Sequence, residues 1–441
     1  MGANADSGAA EGEHARLARR RAAVLPSWLG TLYSEPIDIE SGSGRHVHDA
    51  EGNRYLDFFG GILTTMTGHA VPEVTEAVSE QAGRILHSST LYLNEPMIEL
   101  AERVAELSEI EDPRVFFTTS GTEANDTALL LATGYRSSNQ ILALRNSYHG
   151  RSFASLSVTG NRAWSPSSLS PVQTNYVHGS RRRGTVLEGL DDAEFTAACV
   201  RDLEDVLDQL HGNVACLIAE PIQGVGGFAA PPDGLFARFK EVLDRHGILW
   251  ISDEVQTGWG RTGEHFWGWQ AHDANGSPDI VTFAKGIGNG LPIAGVVARG
   301  EVMDSVSANS ISTFGGSPLT AAGALANLEY HRRNDLWGNA YRVGAVLRDE
   351  LSAAESMPGV GELRGKGLML GVELLRPDGS PAPELAAETT EQARSRGLLI
   401  GKGGLEGNVL RIAPPLSLTS QEAVDGARIL LEALRASGAE E

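Results

Sequence analysis

Cysteine, positive charge and long apolar runs are all scarce in this chain of 441 residues. Its two cysteines, Cys199 and Cys216, are too few for a disulfide framework or a cysteine-based zinc site and fit a reducing compartment. Acidic residues outnumber basic ones by 57 to 36, and the net charge of −21 argues against nucleic acid or an anionic membrane as a partner. No apolar run approaches the roughly 20 residues of a membrane span, and the N-terminus lacks the apolar core of a signal peptide. We therefore expect a cytoplasmic protein.

What is present is an alternation of predicted strands and helices. Hydrophobic residues make up 41% of the chain and charged residues 21%, which is typical of a soluble globular protein. Short apolar runs alternate with amphipathic stretches from Val115 to Ala298, and this order predicts an α/β fold with a large, doubly wound and mostly parallel sheet. We expect a lead-in at residues 1–25 with a disordered start at 1–10, a large domain at 71–318, and a smaller α+β domain built from 26–70 and from 319–441, the last range beginning with an inter-domain helix.

Two of the apolar runs end at residues that carry chemistry. The run 248–252 ends at Asp253, and the run 280–284 ends at Lys285. Such runs are typical of buried parallel strands, and ligands of an open α/β sheet lie just beyond the carboxyl ends of its strands. A carboxylate and an amine in one crevice suit pyridoxal phosphate (PLP), whose aldehyde takes an amine and whose ring nitrogen takes a carboxylate. Taken singly, a helix-capping acid and a surface lysine are the more common explanation.

A second group of candidates follows the run 115–119. Ser120-Gly121-Thr122 lies between this predicted strand and a predicted helix, and free backbone N–H groups at such a junction cradle phosphate. Ser120 and Thr122 add hydroxyl donors, although Ser-Gly-Thr is also an ordinary N-cap. Tyr148, shortly after the run 140–144, is either a core aromatic or a residue that stacks on a flat cofactor ring.

The segment from Thr159 to Asp192 is rich in Ser, Pro and Arg and lacks clear periodicity. We predict a long surface excursion there. It contains Arg181, Arg182 and Arg183, the densest positive cluster of the chain. Such a triplet is usually a solvated face; the alternative is that it helps to admit an anionic substrate.

In combination, the motifs of this chain resemble those of the class III aminotransferases, which are PLP enzymes of fold type I. The resemblance begins at about Ser27 and covers nearly everything after it. The motifs are, in order, Ser120-Gly121-Thr122-Glu123-Ala124-Asn125, Tyr148-His149-Gly150, Glu220-Pro221-Ile222-Gln223-Gly224, Asp253-Glu254-Val255-Gln256-Thr257-Gly258, Ala284-Lys285-Gly286, Thr313-Phe314-Gly315-Gly316 and Arg411-Ile412-Ala413-Pro414-Pro415. The resemblance implies PLP as the cofactor, and no metal is expected.

The resemblance also implies a role for each matching residue. Lys285 would form the Schiff base with PLP and then shuttle a proton, and Asp253 would pair with the pyridinium nitrogen. Gln256 would bond the phenolic oxygen, while Val255 and Tyr148 would cover the two faces of the ring. The other implied cofactor contacts are Ser120, Gly121, Thr122, His149 and Glu220.

For the substrate, Arg411 is the implied partner of a carboxylate. Glu220 would neutralise Arg411 when the donor has no α-carboxylate, and the alternative is a plain structural ion pair. Thr313 would complete the phosphate site of the neighbouring subunit, which makes a homodimer part of the active site and leaves a tetramer open. The chain looks most like the alanine–glyoxylate aminotransferase 2 branch and its phospholyase relatives, with one departure: Ala70-Val71 stands where the family commonly has a second histidine.

The expected reaction is transamination between an amino acid or ω-amine and a small keto acid such as pyruvate, glyoxylate or 2-oxoglutarate. One alternative is a PLP-dependent phospholyase that acts on a phosphorylated amino alcohol, with the arginine cluster near its phosphate. The other is a non-enzymatic, PLP-dependent regulatory scaffold, which the absence of a DNA-binding appendage disfavours.

Overall fold

The computed structural model describes residues 13–263, 265–272 and 276–439, and the disorder predicted for residues 1–10 lies outside these ranges. The helices are α1 Glu13–Val24, α2 Gly60–Leu63, α3 Pro72–Arg84, α4 Glu95–Leu107, α5 Gly121–Arg136, α6 Phe153–Ser157, α7 Asp192–Gln209, α8 Leu235–Arg245, α9 Gly300–Met303, α10 Pro318–Arg333, α11 Leu336–Leu351, α12 Pro383–Ser395 and α13 Ser420–Ala436. Short 3₁₀ turns lie at Arg162–Trp164, Gly268–His272, Lys285–Ile287 and Ser352–Ser356.

The strands form one large sheet and two small ones. They are β1 Ile39–Ser43, β2 His46–Asp49, β3 Arg54–Asp57, β4 Pro113–Thr118, β5 Gln140–Leu144, β6 Gln173–Val177, β7 Cys216–Ala219, β8 Leu249–Asp253, β9 Ile280–Phe283, β10 Ala294–Arg299, β11 Val360–Lys366, β12 Met369–Leu374, β13 Leu398–Leu399, β14 Gly401–Gly403 and β15 Val409–Ile412. Among the helices of the described ranges, none combines the length and apolar character that crossing a bilayer requires.

The large sheet has seven strands in the order β4-β10-β9-β8-β7-β5-β6. From β9 to β6 every neighbouring pair is parallel, while β10 runs antiparallel to both β9 and β4. Every residue of β7, β8 and β9 is buried, because helices cover both faces of a doubly wound sheet. The predicted α/β fold with a mostly parallel sheet is confirmed.

One of the two small sheets joins segments from both ends of the chain, and the other is built from C-terminal strands alone. The first has the order β1-β2-β3-β13 and the second β11-β12-β15-β14. Strand β13 pairs in parallel with β3, which places Leu398 opposite Leu56, so the segments before and after the large sheet share hydrogen bonds. The division at residues 25/26, 70/71 and 318/319 stays a prediction.

Two local predictions are wrong. The segment read as a surface excursion contains β6, which sequence patterning missed because an edge strand with the sequence Gln-Thr-Asn-Tyr-Val has few apolar residues. From the sequence alone, the stretch 365–374 predicts a single strand of the terminal α+β domain, but it spans the end of β11 and all of β12, which pair antiparallel. Gly367 forms the turn with φ +54°, and a Cβ there would lie 2.4 Å from the backbone of Thr262, so only glycine fits.

Candidate active site

Asp253 and Lys285 come from the carboxyl ends of two neighbouring parallel strands. In the register of β8 and β9, Asp253 lies opposite Thr282, and Lys285 follows three residues later. The backbone N–H of Glu254 continues the pairing by donating to the carbonyl of Thr282 at 2.9 Å. The sheet therefore delivers the carboxylate and the amine to the same edge, as the apolar runs predict.

The carboxylate of Asp253 is buried and held by three donors. Its Oδ2 accepts from Nδ2 of Asn125 at 2.8 Å and from Nδ1 of His149 at 2.7 Å, and its Oδ1 accepts from the backbone N–H of Val255 at 3.1 Å. Asn125 is itself fixed, because its Oδ1 accepts from the hydroxyl of Thr282 at 2.7 Å. Three hydrogen bonds therefore fix the position and orientation of the Asp253 carboxyl group at the floor of the site.

Lys285 has an unfavourable backbone conformation and an amine with a lowered pKa. Its backbone has φ +50°, a left-handed conformation that costs free energy in a residue other than glycine and is retained only where the surroundings enforce it. Burial, together with the nearby guanidinium of Arg411, lowers the pKa of its amine to about 8, against the opposing effect of Asp253 and Glu220. A minor but usable fraction of Lys285 is therefore neutral near physiological pH, as a nucleophile and proton carrier requires.

The helix α5 begins at the predicted phosphate loop. Ser120 caps it, because its Oγ accepts from the backbone N–H of Glu123 at 3.2 Å. At Gly121 a Cβ would lie 3.0 Å from the side chain of Val255, so glycine is what lets this helix end approach the loop after β8. Thr122 lies next to Gly150, where a Cβ would be 2.7 Å from the threonine hydroxyl. The positive end of α5 therefore faces the crevice that Asp253 and Lys285 share.

Glu220 lies between Tyr148 and the loop after β7. Its two oxygens accept from the backbone N–H groups of Tyr148 at 2.9 Å and Gly224 at 2.8 Å. Burial raises the pKa of Glu220 to about 7; His149 opposes this effect and Asp253 adds to it. The ring of Tyr148 meets the ring of Trp164 edge-on, with 5.7 Å between centroids.

Arg411, on β15, is almost fully buried and is not paired with Glu220. Its Nη2 donates to Oε1 of Gln256 at 2.8 Å, and its guanidinium lies 4.7 Å from the ring centre of Phe228 and 5.7 Å from that of Phe59. Its buried Nε has no hydrogen-bond partner among the residues that the structure describes. Burial lowers the pKa of Arg411 to about 10, although Glu220 opposes the shift. The group therefore stays charged and keeps donors available for a carboxylate.

Residues 32–434 match the sequence model of the family described as aminotransferase class-III. The chain belongs to the class III aminotransferases. It is 39% identical over 415 residues, which are 92% of this chain and 84% of the relative, to a protein of Arabidopsis thaliana named alanine–glyoxylate aminotransferase 2 homolog 2, mitochondrial.

Two solved structures that are similar to this class III aminotransferase have different activities in their names. An amine transaminase from an uncultivated Pseudomonas species in its PLP-bound form has a TM-score of 0.87 and 32% identity, covering 93% of this chain and 98% of that one. A phospholyase from Arthrobacter in complex with phosphoethanolamine has a TM-score of 0.86 and 31% identity, covering 96% and 99%. This class III aminotransferase is accordingly a PLP-dependent enzyme that transfers an amino group between an amino acid or ω-amine donor and a small keto acid.

The residues present in the class III site fit PLP. The cofactor requires an amine, a carboxylate for its ring nitrogen and an anion site for its phosphate. Lys285, Asp253 and the N-terminus of α5 provide these three groups, and the Gly121–Val255 approach supplies an apolar surface for a flat ring. His149 adds a buried Nε2 that no hydrogen bond in the described ranges satisfies.

Several site residues of the aminotransferase were missed by sequence reasoning. Asn125 is the last residue of the motif that begins at Ser120, but only the fold shows that its side chain holds Asp253. Thr282 orients Asn125, while Phe59 and Phe228 flank Arg411, and none of these three carries a local signal. Thr313 is exposed, and the hydroxyl of its neighbour Ser312 donates to Glu123, in the first turn of α5, at 2.9 Å.

Proposed function

We propose that Lys285 is the catalytic base of this aminotransferase and that Asp253 is the partner of the cofactor's ring nitrogen. The observation that carries the proposal is the register of β8 and β9, which brings both residues to one edge of the sheet. Bound PLP supplies an electron sink for negative charge that develops at the substrate carbon. Asp253, held in place by Asn125 and His149, would keep that sink effective by pairing with the protonated ring nitrogen.

The remaining cofactor contacts follow from placement around the crevice. Gly121 and Thr122 offer backbone N–H groups to the phosphate at the start of α5, and the hydroxyl of Ser120 serves mainly as the helix cap. Val255 and Tyr148 would enclose the ring from two sides. The proposed contacts with His149, Glu220 and Gln256 are supported by their burial beside Asp253, Tyr148 and Arg411.

Lys285 moves the proton. Its pKa of about 8 leaves a neutral fraction of its Nζ at neutral pH, so Nζ accepts a proton from the substrate carbon and returns it during transfer. Arg411 holds the carboxylate of an amino or keto acid through bidentate hydrogen bonds, with Phe59 and Phe228 excluding water around the guanidinium.

Substitution of Lys285 tests the catalytic assignment. Reduction of the holoenzyme with borohydride, followed by digestion and peptide mass measurement, should locate covalently attached cofactor on the peptide that contains Lys285. Lys285→Ala should lose both this label and turnover. Lys240→Ala, which removes a helix-surface lysine paired with Asp244, is the matched control and should keep both. A label on another lysine would overturn the assignment.

A phospholyase activity on a phosphorylated amino alcohol is the second candidate, and the similar Arthrobacter structure with phosphoethanolamine is the reason to test it. Two of the three clustered arginines are paired with acids: Arg182 with Asp192, and Arg183 with Glu373. Incubation with phosphoethanolamine distinguishes the reactions, because a lyase releases inorganic phosphate without a keto acid, whereas a transaminase needs the acceptor for continued turnover.

A homodimer that shares its active sites is part of the proposal. Leu91, Tyr92, Leu93 and Phe314 are 73%, 70%, 95% and 63% exposed, and we call them the apolar patch. Segment 87–94 meets the loop that carries Thr313, since the rings of His87 and Phe314 are 5.2 Å apart. An exposed apolar surface of this kind marks an interface, and a second copy covering it would bring Thr313 to the partner's phosphate site. A tetramer built from such dimers stays open.

Cytoplasmic location is also a proposal. Both cysteines are free and buried, which fits a reducing compartment. The Arabidopsis relative has a name that places that protein in mitochondria. Fractionation of cells that produce the full chain, with detection in the soluble and organellar fractions, tests the location directly.

A further inference from the structure

A groove of about 640 Å³ lies beyond the carboxyl ends of β5 and β6, at the edge of the large sheet. Three guanidiniums line it, those of Arg145, Arg162 and Arg181, together with His178 and Tyr176. Its volume is that of a small-molecule site. Neither Asp253 nor Lys285 lines the groove, so it is separate from the crevice in which the cofactor is proposed to bind.

Two glycines bring the three arginines together. A Cβ at Gly160 would lie 2.7 Å from the carbonyl oxygen of Leu144, and a Cβ at Gly179 would lie 2.8 Å from the side chain of Leu144. Because both positions lack a side chain, the loops that lead to Arg162 and Arg181 pack directly against the end of β5. Arg145 is the next residue of that strand end, so three separate segments meet at one point.

The charge of the groove is opposite to that of the protein. The chain has 57 acidic residues and 36 basic ones, yet no Asp or Glu is among the described residues that line the groove. None of the three arginines forms an ion pair with a carboxylate in the described ranges, in contrast to Arg182 and Arg183. Arg145 and Arg162 are exposed and Arg181 is half-buried, so their donors can be reached by a ligand from solvent, and a bound anion would complement the three like charges.

We propose that this groove binds a small organic polyanion, either a phosphate ester or a polycarboxylate, and that Arg145, Arg162 and Arg181 hold its charged groups. Guanidiniums match both chemistries because each can donate two parallel hydrogen bonds to a carboxylate or a phosphate. The ring of Tyr176 and the side chains of Val186 and Leu405 give the groove an apolar part for the organic portion of the ligand.

The groove is connected to the proposed active site through one short turn. Arg162 and Trp164 both belong to the 3₁₀ turn at Arg162–Trp164, and the ring of Trp164 contacts that of Tyr148. A ligand held by Arg162 therefore fixes the turn that supports Tyr148. The binding site itself does not depend on the roles proposed for Lys285 and Asp253.

Calorimetric titration of the holoenzyme at low ionic strength tests the proposal, with inorganic pyrophosphate and citrate as separate probes. The wild-type chain should bind at least one of them with a Kd below the millimolar range. Arg162→Gln and Arg181→Gln should each weaken binding about tenfold, and the double variant about a hundredfold, since each removes a charge-assisted hydrogen bond. Binding should also change the fluorescence of Trp164, which lies in the same turn as Arg162. This change should be absent in Trp164→Phe.

Two variants serve as matched controls. Arg245→Gln removes an exposed charge paired with Glu204 and should leave the Kd unchanged. Arg411→Met tests whether the probes bind in the active site instead. If they bind in the groove, this variant should also leave the Kd unchanged. Binding of pyrophosphate alone assigns the groove to phosphate esters, and binding of citrate alone assigns it to polycarboxylates. The proposal is overturned if neither probe binds at millimolar concentration, if the groove variants bind like the wild type, or if Arg411→Met abolishes binding.

Discussion

Arg411 is held by Gln256 and not by Glu220: the hydrogen bond from Nη2 of Arg411 to Oε1 of Gln256 measures 2.8 Å. Glu220 instead accepts from two backbone N–H groups and acts on Arg411 only at longer range. An amide is a weaker partner than a carboxylate for a guanidinium. A substrate carboxylate can therefore displace Gln256 more readily than it could displace an acid.

Replacing Arg411 should separate substrates by charge. Arg411→Met keeps an unbranched apolar side chain, which is shorter than that of arginine, and removes the guanidinium with its donors. The KM for α-keto and α-amino acids should rise about 10- to 100-fold, because hydrogen bonds to charged groups contribute roughly 1.5–3 kcal/mol. The KM for an ω-amine that lacks an α-carboxylate should change little. Steady-state kinetics with both donor types measure the split, and an equal loss with both donors would contradict the assigned role.

Glu220→Gln addresses the proposed change of substrate mode. The amide oxygen can accept only one of the two backbone hydrogen bonds, and the NH2 group then faces the other N–H donor, so the loop has to adjust locally while the negative charge near Arg411 is removed. The comparison between donor classes, and not the overall loss of activity, therefore carries the test. Turnover with ω-amine donors should fall more than turnover with α-amino acids, because an uncompensated guanidinium then faces a substrate without a carboxylate. Losses of the same size with both donor classes would show that Glu220 has only a structural role.

The lowered pKa of Lys285 predicts how cofactor capture depends on pH. Its pKa is about 8 in place of the usual 10.5, so the reactive neutral amine accumulates as pH rises through 8. The rate at which apoenzyme attaches PLP covalently should therefore level off above that pH, as measured by borohydride trapping.

The same measurement on Arg411→Met gives the control. The guanidinium of Arg411 contributes to lowering the pKa of Lys285, so its removal should move the inflection to higher pH. An inflection that stays where it is would show that burial alone lowers the pKa, and a wild-type inflection near 10.5 would contradict the buried environment.

We expect the hydrogen bond from Asn125 to Asp253 to be essential for the interaction of Asp253 with the cofactor. Asn125→Asp would place a second carboxylate beside Asp253, at a position where the amide now donates at 2.8 Å. Two carboxylates so close cannot both ionise readily, so the pairing with the cofactor's ring nitrogen weakens and kcat should fall about tenfold or more. Thr282→Ser, which keeps the hydroxyl that orients Asn125, should remain close to wild type, and a normal kcat for Asn125→Asp would contradict this role.

The apolar patch predicts a dimer that one charge can disrupt. Leu93→Glu places a charge on the most exposed leucine of the patch, where burial in an interface would be costly. Sedimentation velocity should show a shift to monomer together with loss of activity. Leu169→Glu, at another exposed leucine outside the patch, should remain dimeric, and a dimeric Leu93→Glu variant would exclude this interface.

Much of the fold is legible in the order of local patterns. Strands β5, β7, β8 and β9 are short apolar runs, and each is fully or almost fully buried. The edge strand β6 escaped prediction because its residues are mostly polar and its burial is partial. The sequence of residues 365–374 predicts one strand where the structure has the hairpin of β11 and β12, since Gly367 differs from an interior glycine only through its tertiary contacts.

The sequence by itself determined which residues stand at strand ends, because the period and length of apolar runs are local properties. It thus identified Asp253, Lys285 and the loop before α5. Only the tertiary structure decided their partners: Asn125 reaches Asp253 across 128 positions of sequence, and Gln256 reaches Arg411 across 155. The groove lined by Arg145, Arg162 and Arg181 is likewise formed only by the tertiary structure. Contacts between distant segments depend on how strands order themselves in a sheet, and no local pattern encodes that order.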